Sequence, residues 1–283
     1  MKIRLITQIA GSILPNSYFQ VIATKTIYQG RLKGICAPLF NCYACPLAVV
    51  SCPIGTLQHF SAIGKIPYYV IGYLGIIGLA VGRMACGWIC PFGFFQDLIA
   101  KIKIRKFRFP SYLGYMRYFI LIILVFIIPF LTHEPWFTKL CPWGTIEAGI
   151  PWILWNSNFR SLIGNIYYLK LAILISFLGL MLIFKRPFCF LACPLGAIFA
   201  IFNRISIIRL GVDIESCTRC DRCLRDCPVN IRVYENPNSH NCIRCLECTK
   251  CSKVSVYSIF SKKPMSHEEE LEAGYQVNSN IAD

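Results

Sequence analysis

The stretch that decides the fold is "RMACGWICPFG", residues 83–93, together with its echo "RPFCFLACPLG", residues 186–196. In each, an arginine stands three positions before a cysteine. A second cysteine follows four positions later, and Pro-x-Gly closes the run. The pairs are Cys86 with Cys90 and Cys189 with Cys193. Both pairs follow a long apolar segment. Glycine lets a turn close tightly, and proline breaks a helix without leaving an unmatched N–H. A thiolate buried at such a turn is costly unless a metal takes up its charge. The bland alternative is a loop–helix junction whose thiols are inert or redox-active.

The surroundings of these runs are those of a membrane protein. Of 283 residues, 55% are hydrophobic and only 15% charged, where a soluble domain carries about a quarter. Apolar runs lie at about 66–85, 117–132 and 163–184, each near the ~20 residues a spanning helix needs. A weaker run at about 5–23 is interrupted by Pro15 and Asn16. It lacks a small-residue cleavage site, so it reads as a span rather than a signal peptide. The expectation is a mainly α protein with about four transmembrane helices.

Charge divides the chain. Residues 1–210 hold 20 Lys and Arg against 3 Asp and Glu, whereas residues 211–283 hold 9 against 11. The basic clusters flank apolar runs, which points to positive-inside membrane anchoring and not to nucleic acid. "KIKIRKFR" (101–108) and Lys185, Arg186, Arg204 and Arg209 are expected in the cytoplasm. Segments 24–65 and 133–162 then lie outside, although Lys25, Arg31, Lys33 and Lys65 break the rule. Three parts follow: a transmembrane domain over 1–210, a soluble cytoplasmic domain over 211–262 and a flexible acidic tail over 263–283.

The soluble part carries the strongest motif. Cys217, Cys220, Cys223 and Cys227 follow C-x2-C-x2-C-x3-C-P, the bacterial ferredoxin run for a [4Fe–4S] cluster. Cys242, Cys245, Cys248 and Cys251 form a second run with a shortened last gap. Three close ligands grip one cube and the fourth reaches the other. One cluster is therefore assigned Cys217, Cys220, Cys223 and Cys251, the other Cys242, Cys245, Cys248 and Cys227. Structural zinc is the competing reading. Arg219, Arg222, Arg225 and Arg244 stand between ligands, either offsetting cluster charge or forming a solvated basic face.

CPxG occurs four times, at Cys52, Cys90, Cys141 and Cys193. Cys52 and Cys141 fall outside in the expected topology, Cys90 and Cys193 inside. The chain thus reads as two copies of one helical pair with re-entrant CPxG loops, related by a pseudo-two-fold axis along the membrane normal. That axis brings Cys86, Cys90, Cys189 and Cys193 together around a third cluster. Outside, Cys36, Cys42, Cys45 and Cys52, with Cys141 as a fifth, either ligate another cluster or pair as disulfides.

The two ferredoxin runs and the doubled C-x3-C-P resemble the membrane-bound ferredoxin-type proteins of the NapH and NosR families. "NCYACPLAVVSCPIGTLQ" resembles a branch of these polyferredoxins found with extracytoplasmic flavin proteins. The resemblance implies a multi-pass protein of the cytoplasmic membrane with a small α+β ferredoxin-like 2×[4Fe–4S] domain in the cytoplasm. It implies electron transfer from a cytoplasmic donor or quinol to an extracytoplasmic redox partner, a flavoprotein above all. The chain is then an electron-transfer subunit of an oxidoreductase complex. Two alternatives stand beside it, a quinol dehydrogenase subunit and a metal-ion reductase for cofactor assembly. His133, Glu134, Lys139 and Glu147 near the outer face and Asp97 near the inner face are the ionisable groups a quinol site would draw on. The five tryptophans read as an interfacial belt.

Overall fold

Each CPxG begins a helix. Cys52, Cys90, Cys141 and Cys193 all take the cap position with extended backbone, ψ 124°, 119°, 120° and 109°, and a proline at the first turn. Proline suits that position because its φ is already helical and its missing N–H would have had no partner. The computed structural model describes residues 2–260 apart from 103, 105, 108, 156 and 215. Lys103, Arg105 and Arg108 of the basic run, and the acidic tail expected over 263–283, lie outside the described residues.

Helix α1 (Lys2–Ile13) precedes the first unit. That unit comprises α2 (Pro53–Ala62) behind Cys52, α3 (Tyr68–Val81), α4 (Met84–Trp88) and α5 (Pro91–Ala100) behind Cys90. Helix α6 (Ser111–Thr132) and the short α7 (Trp136–Leu140) lead to the second unit. There α8 (142–155) follows Cys141, and α9 (Asn165–Ile183), α10 (Pro187–Leu191) and α11 (Pro194–Phe202) repeat α3, α4 and α5. The duplication inferred from the motifs is thus an element-by-element repeat. The CPxG segments are helix starts rather than open loops.

Two helices, α6 and α9, are long and apolar enough to cross a membrane, each with a mean hydropathy of 2.2. In α9 only 11% of that apolar window is buried. Such a surface is unsuited to water and calls for lipid or a partner. The other two expected spans are shorter than their apolar runs. Helix α1 stops at Ile13 because Pro15 follows in a 3-10 turn. Its 12 residues rise about 18 Å, short of a ~30 Å hydrocarbon core. Helix α3 stops at Val81 because Gly82 turns left-handed at φ 59°. A side chain there would meet Asn203 Oδ1 at 2.6 Å.

Beyond α11 the chain forms a two-stranded antiparallel sheet, β1 (Ile208–Val212) on β2 (Val254–Ser258), in register from Ile208–Ser258 to Val212–Val254. Both ferredoxin runs lie between these strands, the first carrying helix α12 (Arg222–Asp226). Leu210, Val233, Cys242, Cys248 and Val254 make a small core of their own. Leu210 belongs to that core, so β1 begins slightly before the charge boundary near 210.

Candidate metal centres

The two units meet at Cys86, Cys90, Cys189 and Cys193, all buried. Burial pushes the Cys90 thiol up to about 12, and Cys189 and Cys86 add to the shift. Cys193 is raised by burial and then by Cys189, Cys86 and Cys90. Four thiols that act on one another lose their protons together only when a cation takes up the charge. Donors are already aimed at the sulfurs. Gln96 Nε2 donates to Cys189 Sγ at 3.1 Å, and the Gly196 N–H donates to Cys193 Sγ at 3.3 Å.

The motif arginines tie the units crosswise. Arg83 donates through Nη2 to the carbonyl of Cys189 at 3.1 Å, and Arg186 through Nη1 to the carbonyl of Cys86 at 3.0 Å. Each guanidinium passes over the CPxG glycine of the opposite unit. A Cβ on Gly196 would sit 2.9 Å from Arg83 Nη2, and one on Gly93 would sit 3.3 Å from Arg186 Nη1. This explains the glycine of the inner motif in physical terms: its bare Cα is the gap through which the other unit's arginine reaches.

On the outer side, Cys42, Cys52 and Cys141 line one cavity of about 320 Å³ with Phe40, Phe137 and Trp143. Cys141 Sγ accepts from the Gly144 N–H at 3.4 Å. Cys45 is one turn from Cys42, its N–H bonded to the Cys42 carbonyl at 3.1 Å. Cys36 is bridged to Ser51, the residue before Cys52, and its sulfur is 3.5 Å from Thr56 Oγ1. All seventeen cysteines are free thiols, so the structure holds no disulfide among the outer five. Glu147 is half-buried against this group and accepts from the Cys42 N–H at 2.6 Å. Burial pushes its carboxyl up to about 8. Glu134 and Lys139 pair with each other at 2.6 Å, and His133 Nδ1 bonds the Ala62 carbonyl at 2.6 Å.

In the tail, Cys227, Cys242, Cys245 and Cys248 line one cavity of about 280 Å³. Burial pushes Cys245 up to about 12, with Cys227 the next contributor. Cys223 is raised by burial and also by Cys251 and Cys217. Cys227 thus stands with the second run and Cys251 beside Cys223 of the first, while Cys220 is exposed. Arg219, Arg222 and Arg225 are solvent-exposed, whereas Arg244 is buried and bonds Ser206 Oγ at 2.6 Å and the Asn203 carbonyl at 2.6 Å.

The groups adjoin one another, which spacing could not reveal. A Cβ on Gly87 would lie 2.6 Å from the Ile243 carbonyl and 3.4 Å from Cys245 Cα. Trp88 Nε1 donates to the Arg244 carbonyl at 3.0 Å, and Asn203 Nδ2 to the Cys242 carbonyl at 2.7 Å. Arg4 reaches Asp97 in the membrane part and Glu247 in the tail. On the other side the Phe40 N–H approaches the Cys90 sulfur while the next amide, Asn41, approaches the Cys52 sulfur. Phe92 packs on Phe188 and Trp143 between them, with ring centroids 4.7 and 4.8 Å apart.

Among the described residues no group of three or more His, Cys, Asp or Glu closes on a point suited to a single metal ion. A four-iron cube holds its thiolates at its corners, farther apart than the ligands of one ion. Cys227, Cys242, Cys245 and Cys248 around one cavity, and the buried inner thiols with N–H donors on Cys189 and Cys193, fit that larger group.

Comparison with known proteins agrees with this donor set. A family model described as a 4Fe-4S binding domain matches the chain twice, at residues 69–110 and 168–212. Each match contains one inner C-x3-C-P-x-G run. An uncharacterized protein of Methanocaldococcus jannaschii is 30% identical over 203 residues, 68% of this chain and 70% of the relative. The ferredoxin-type protein NapH of Escherichia coli is 25% identical over 232 residues, 78% of this chain and 71% of NapH. The methylamine utilization ferredoxin-type protein MauN of Methylobacillus flagellatus is 26% identical over 162 residues, 56% of this chain and 52% of MauN. No solved structure matches the chain. The chain thus carries a duplicated 4Fe-4S binding domain and is homologous to the ferredoxin-type proteins NapH and MauN.

Proposed function

We propose that this protein is an electron conduit across the cytoplasmic membrane, built on four [4Fe–4S] clusters held in sequence. Cys217, Cys220, Cys223 and Cys251 hold the first. Cys227, Cys242, Cys245 and Cys248 hold the second. Cys86, Cys90, Cys189 and Cys193 hold the third, and Cys42, Cys45, Cys52 and Cys141 the fourth. One-electron transfer is the chemistry such clusters supply when bound. The protein fixes their spacing and surroundings.

The observation that carries this reading is the contact of neighbouring groups. Cys245 backs onto Gly87, one residue from Cys86, and the amides of Phe40 and Asn41 link Cys90 to Cys52. A ~30 Å hydrocarbon core is too wide for a single efficient hop, so centres between its faces are needed. In this reading α6 and α9 sit in the bilayer and the cluster-bearing tail, residues 211–262, faces the cytoplasm. A cytoplasmic donor delivers electrons to the tail. An extracytoplasmic acceptor, a flavoprotein above all, takes them at a cleft of about 1580 Å³ that opens on Cys42 and is lined by Tyr43, Trp152, Lys139 and Lys170.

A second reading, quinol oxidation at the outer group, draws on Glu147. Among the ionisable groups weighed for a quinol site it alone, half-buried beside the outer cysteines, has a raised pKa. Both readings need the same clusters. Iron and acid-labile sulfide on anaerobically purified protein test them: about sixteen of each per chain is expected, and about eight would leave only the tail's pair.

A further inference from the structure

Four arginines in this protein are almost fully buried: Arg83, Arg117, Arg186 and Arg244. A buried cation is costly unless an anion stands beside it. Arg186 has one. Its Nε and Nη2 bond both oxygens of Asp97 at 2.6 Å, and Asp97 also takes Arg4. The Arg4 guanidinium is in turn shared with Glu247 at 2.9 Å. This side of the inner site is therefore carboxylate-paired, with Lys250 joining Glu247 at 2.6 Å. The other side is not. Arg83 donates to the carbonyls of His240 (3.0 Å), Asn241 (3.3 Å) and Cys189 (3.1 Å). Arg117 donates to the carbonyl of His240 at 2.9 Å. Among the described residues neither has a carboxylate partner. The Nε of Arg83 and the Nε and Nη1 of Arg117 have no hydrogen-bond partner at all.

The position of Arg83 is specific. Its carbonyl partners are Cys189 itself and the residue directly before Cys242. It thus bridges a ligand of the inner group and the segment leading into the second tail group. Arg186 mirrors it in the other unit, but with its charge cancelled by Asp97.

We infer that Arg83 is the counter-charge of the inner cluster, a positioning residue that raises the cluster's reduction potential while its mirror Arg186 is electrically silenced by Asp97. The duplicated unit has kept the arginine twice for its crosswise grip. The position of Asp97, seven after Cys90, is Ala200 after Cys193, so the two halves of a symmetric site carry unlike charge. A positive charge that no carboxylate offsets favours the reduced, more negative form of a four-thiolate cluster. At an effective protein dielectric of ~20 a unit charge ~12 Å from the cluster centre shifts the oxidised-to-reduced ratio at fixed poise about tenfold, and a nearer one shifts it more. The inference rests on the reading that Cys86, Cys90, Cys189 and Cys193 hold a cluster.

The test is a redox titration of the full-length membrane protein, followed by electron paramagnetic resonance, with iron counted on each sample. Arg83→Gln is expected to lower the inner cluster's potential, giving about tenfold less reduced form at fixed poise. Asp97→Asn is expected to raise it by uncovering Arg186. Arg83→Lys, which keeps the charge and loses the fork, is expected to stay close to wild type. Potentials unchanged in Arg83→Gln and Asp97→Asn at full iron content, or shifted the same way, would overturn the inference. Loss of four irons in all three variants would also overturn it, by reducing the arginine to a purely structural clamp. If Arg83→Gln alone fails to assemble, the opposite sign in Asp97→Asn decides. A wild-type protein whose signals do not change on removing Cys86 and Cys189 would instead refute the cluster assignment itself.

Discussion

Replacing Cys86 and Cys189 together by serine removes about four irons per chain and leaves both tail clusters in place. It also reduces electron transfer across a sealed vesicle to the leak of protein-free lipid. The reasoning is geometric. The inner group is the only cysteine set that adjoins both a tail group, through Gly87 and Cys245, and the outer group, through Phe40 and Asn41. Each unit supplies two of the four thiols, so one substitution per unit leaves a pair that cannot hold a cube. The crosswise hydrogen bonds of Arg83 and Arg186 go to backbone carbonyls and survive the change. The variant is therefore expected to keep its fold. Iron analysis and tail-cluster spectra check the first half of this outcome, and vesicle kinetics the second.

Gly87→Ala is the second large effect, and it needs no change at any ligand. The new Cβ would lie 2.6 Å from the Ile243 carbonyl oxygen and 3.4 Å from Cys245 Cα. Both are backbone atoms of a ligand loop and cannot rotate away. Overpacking of this kind costs about 1–3 kcal/mol, and here the tail can relieve it by lifting off the membrane part. The Trp88–Arg244 bond and the Arg4–Glu247 ion pair would go with it. The expected result is a protein with full iron whose tail clusters reduce at the normal rate, whose inner cluster reduces slowly, and whose 203–217 connection is cut faster by protease. Gly179→Ala is the control. Nothing lies within 4 Å of that position on α9, so no loss is expected, and alanine favours the helix by up to about 1 kcal/mol.

What could be read from sequence was whatever the chain encodes by local spacing. The C-x2-C runs name their ligands because a cube is gripped by residues a few positions apart. The doubled C-x3-C-P-x-G names a repeat because the same turn is made twice. The same prolines read as loop breakers, whereas at Cys52, Cys90, Cys141 and Cys193 they open helices. What remained hidden depends on contacts between distant segments. Gln96 serves Cys189 from 93 positions away, and Asn203 holds the Cys242 carbonyl from 39. Nothing in their neighbourhoods marks either. Arg244, which equally suited a solvated face, is buried because its fork finds Val81, Asn203 and Ser206. Asp97 reads in isolation as a helix-end acid, and its role needs Arg186 and Arg4 beside it. The spans were overextended for a similar reason. Hydropathy runs on through residues 82–85, but Gly82 must turn where Asn203 approaches.

The central claim is that electrons cross the bilayer within this one chain. The most direct measurement is reduction of an impermeant ferric acceptor trapped inside liposomes carrying the full-length protein, with an impermeant low-potential reductant outside. The account predicts reduction at a rate proportional to protein per vesicle, falling to the protein-free leak in Cys86→Ser/Cys189→Ser. A rate equal to protein-free vesicles, from protein with about sixteen irons per chain, would contradict it.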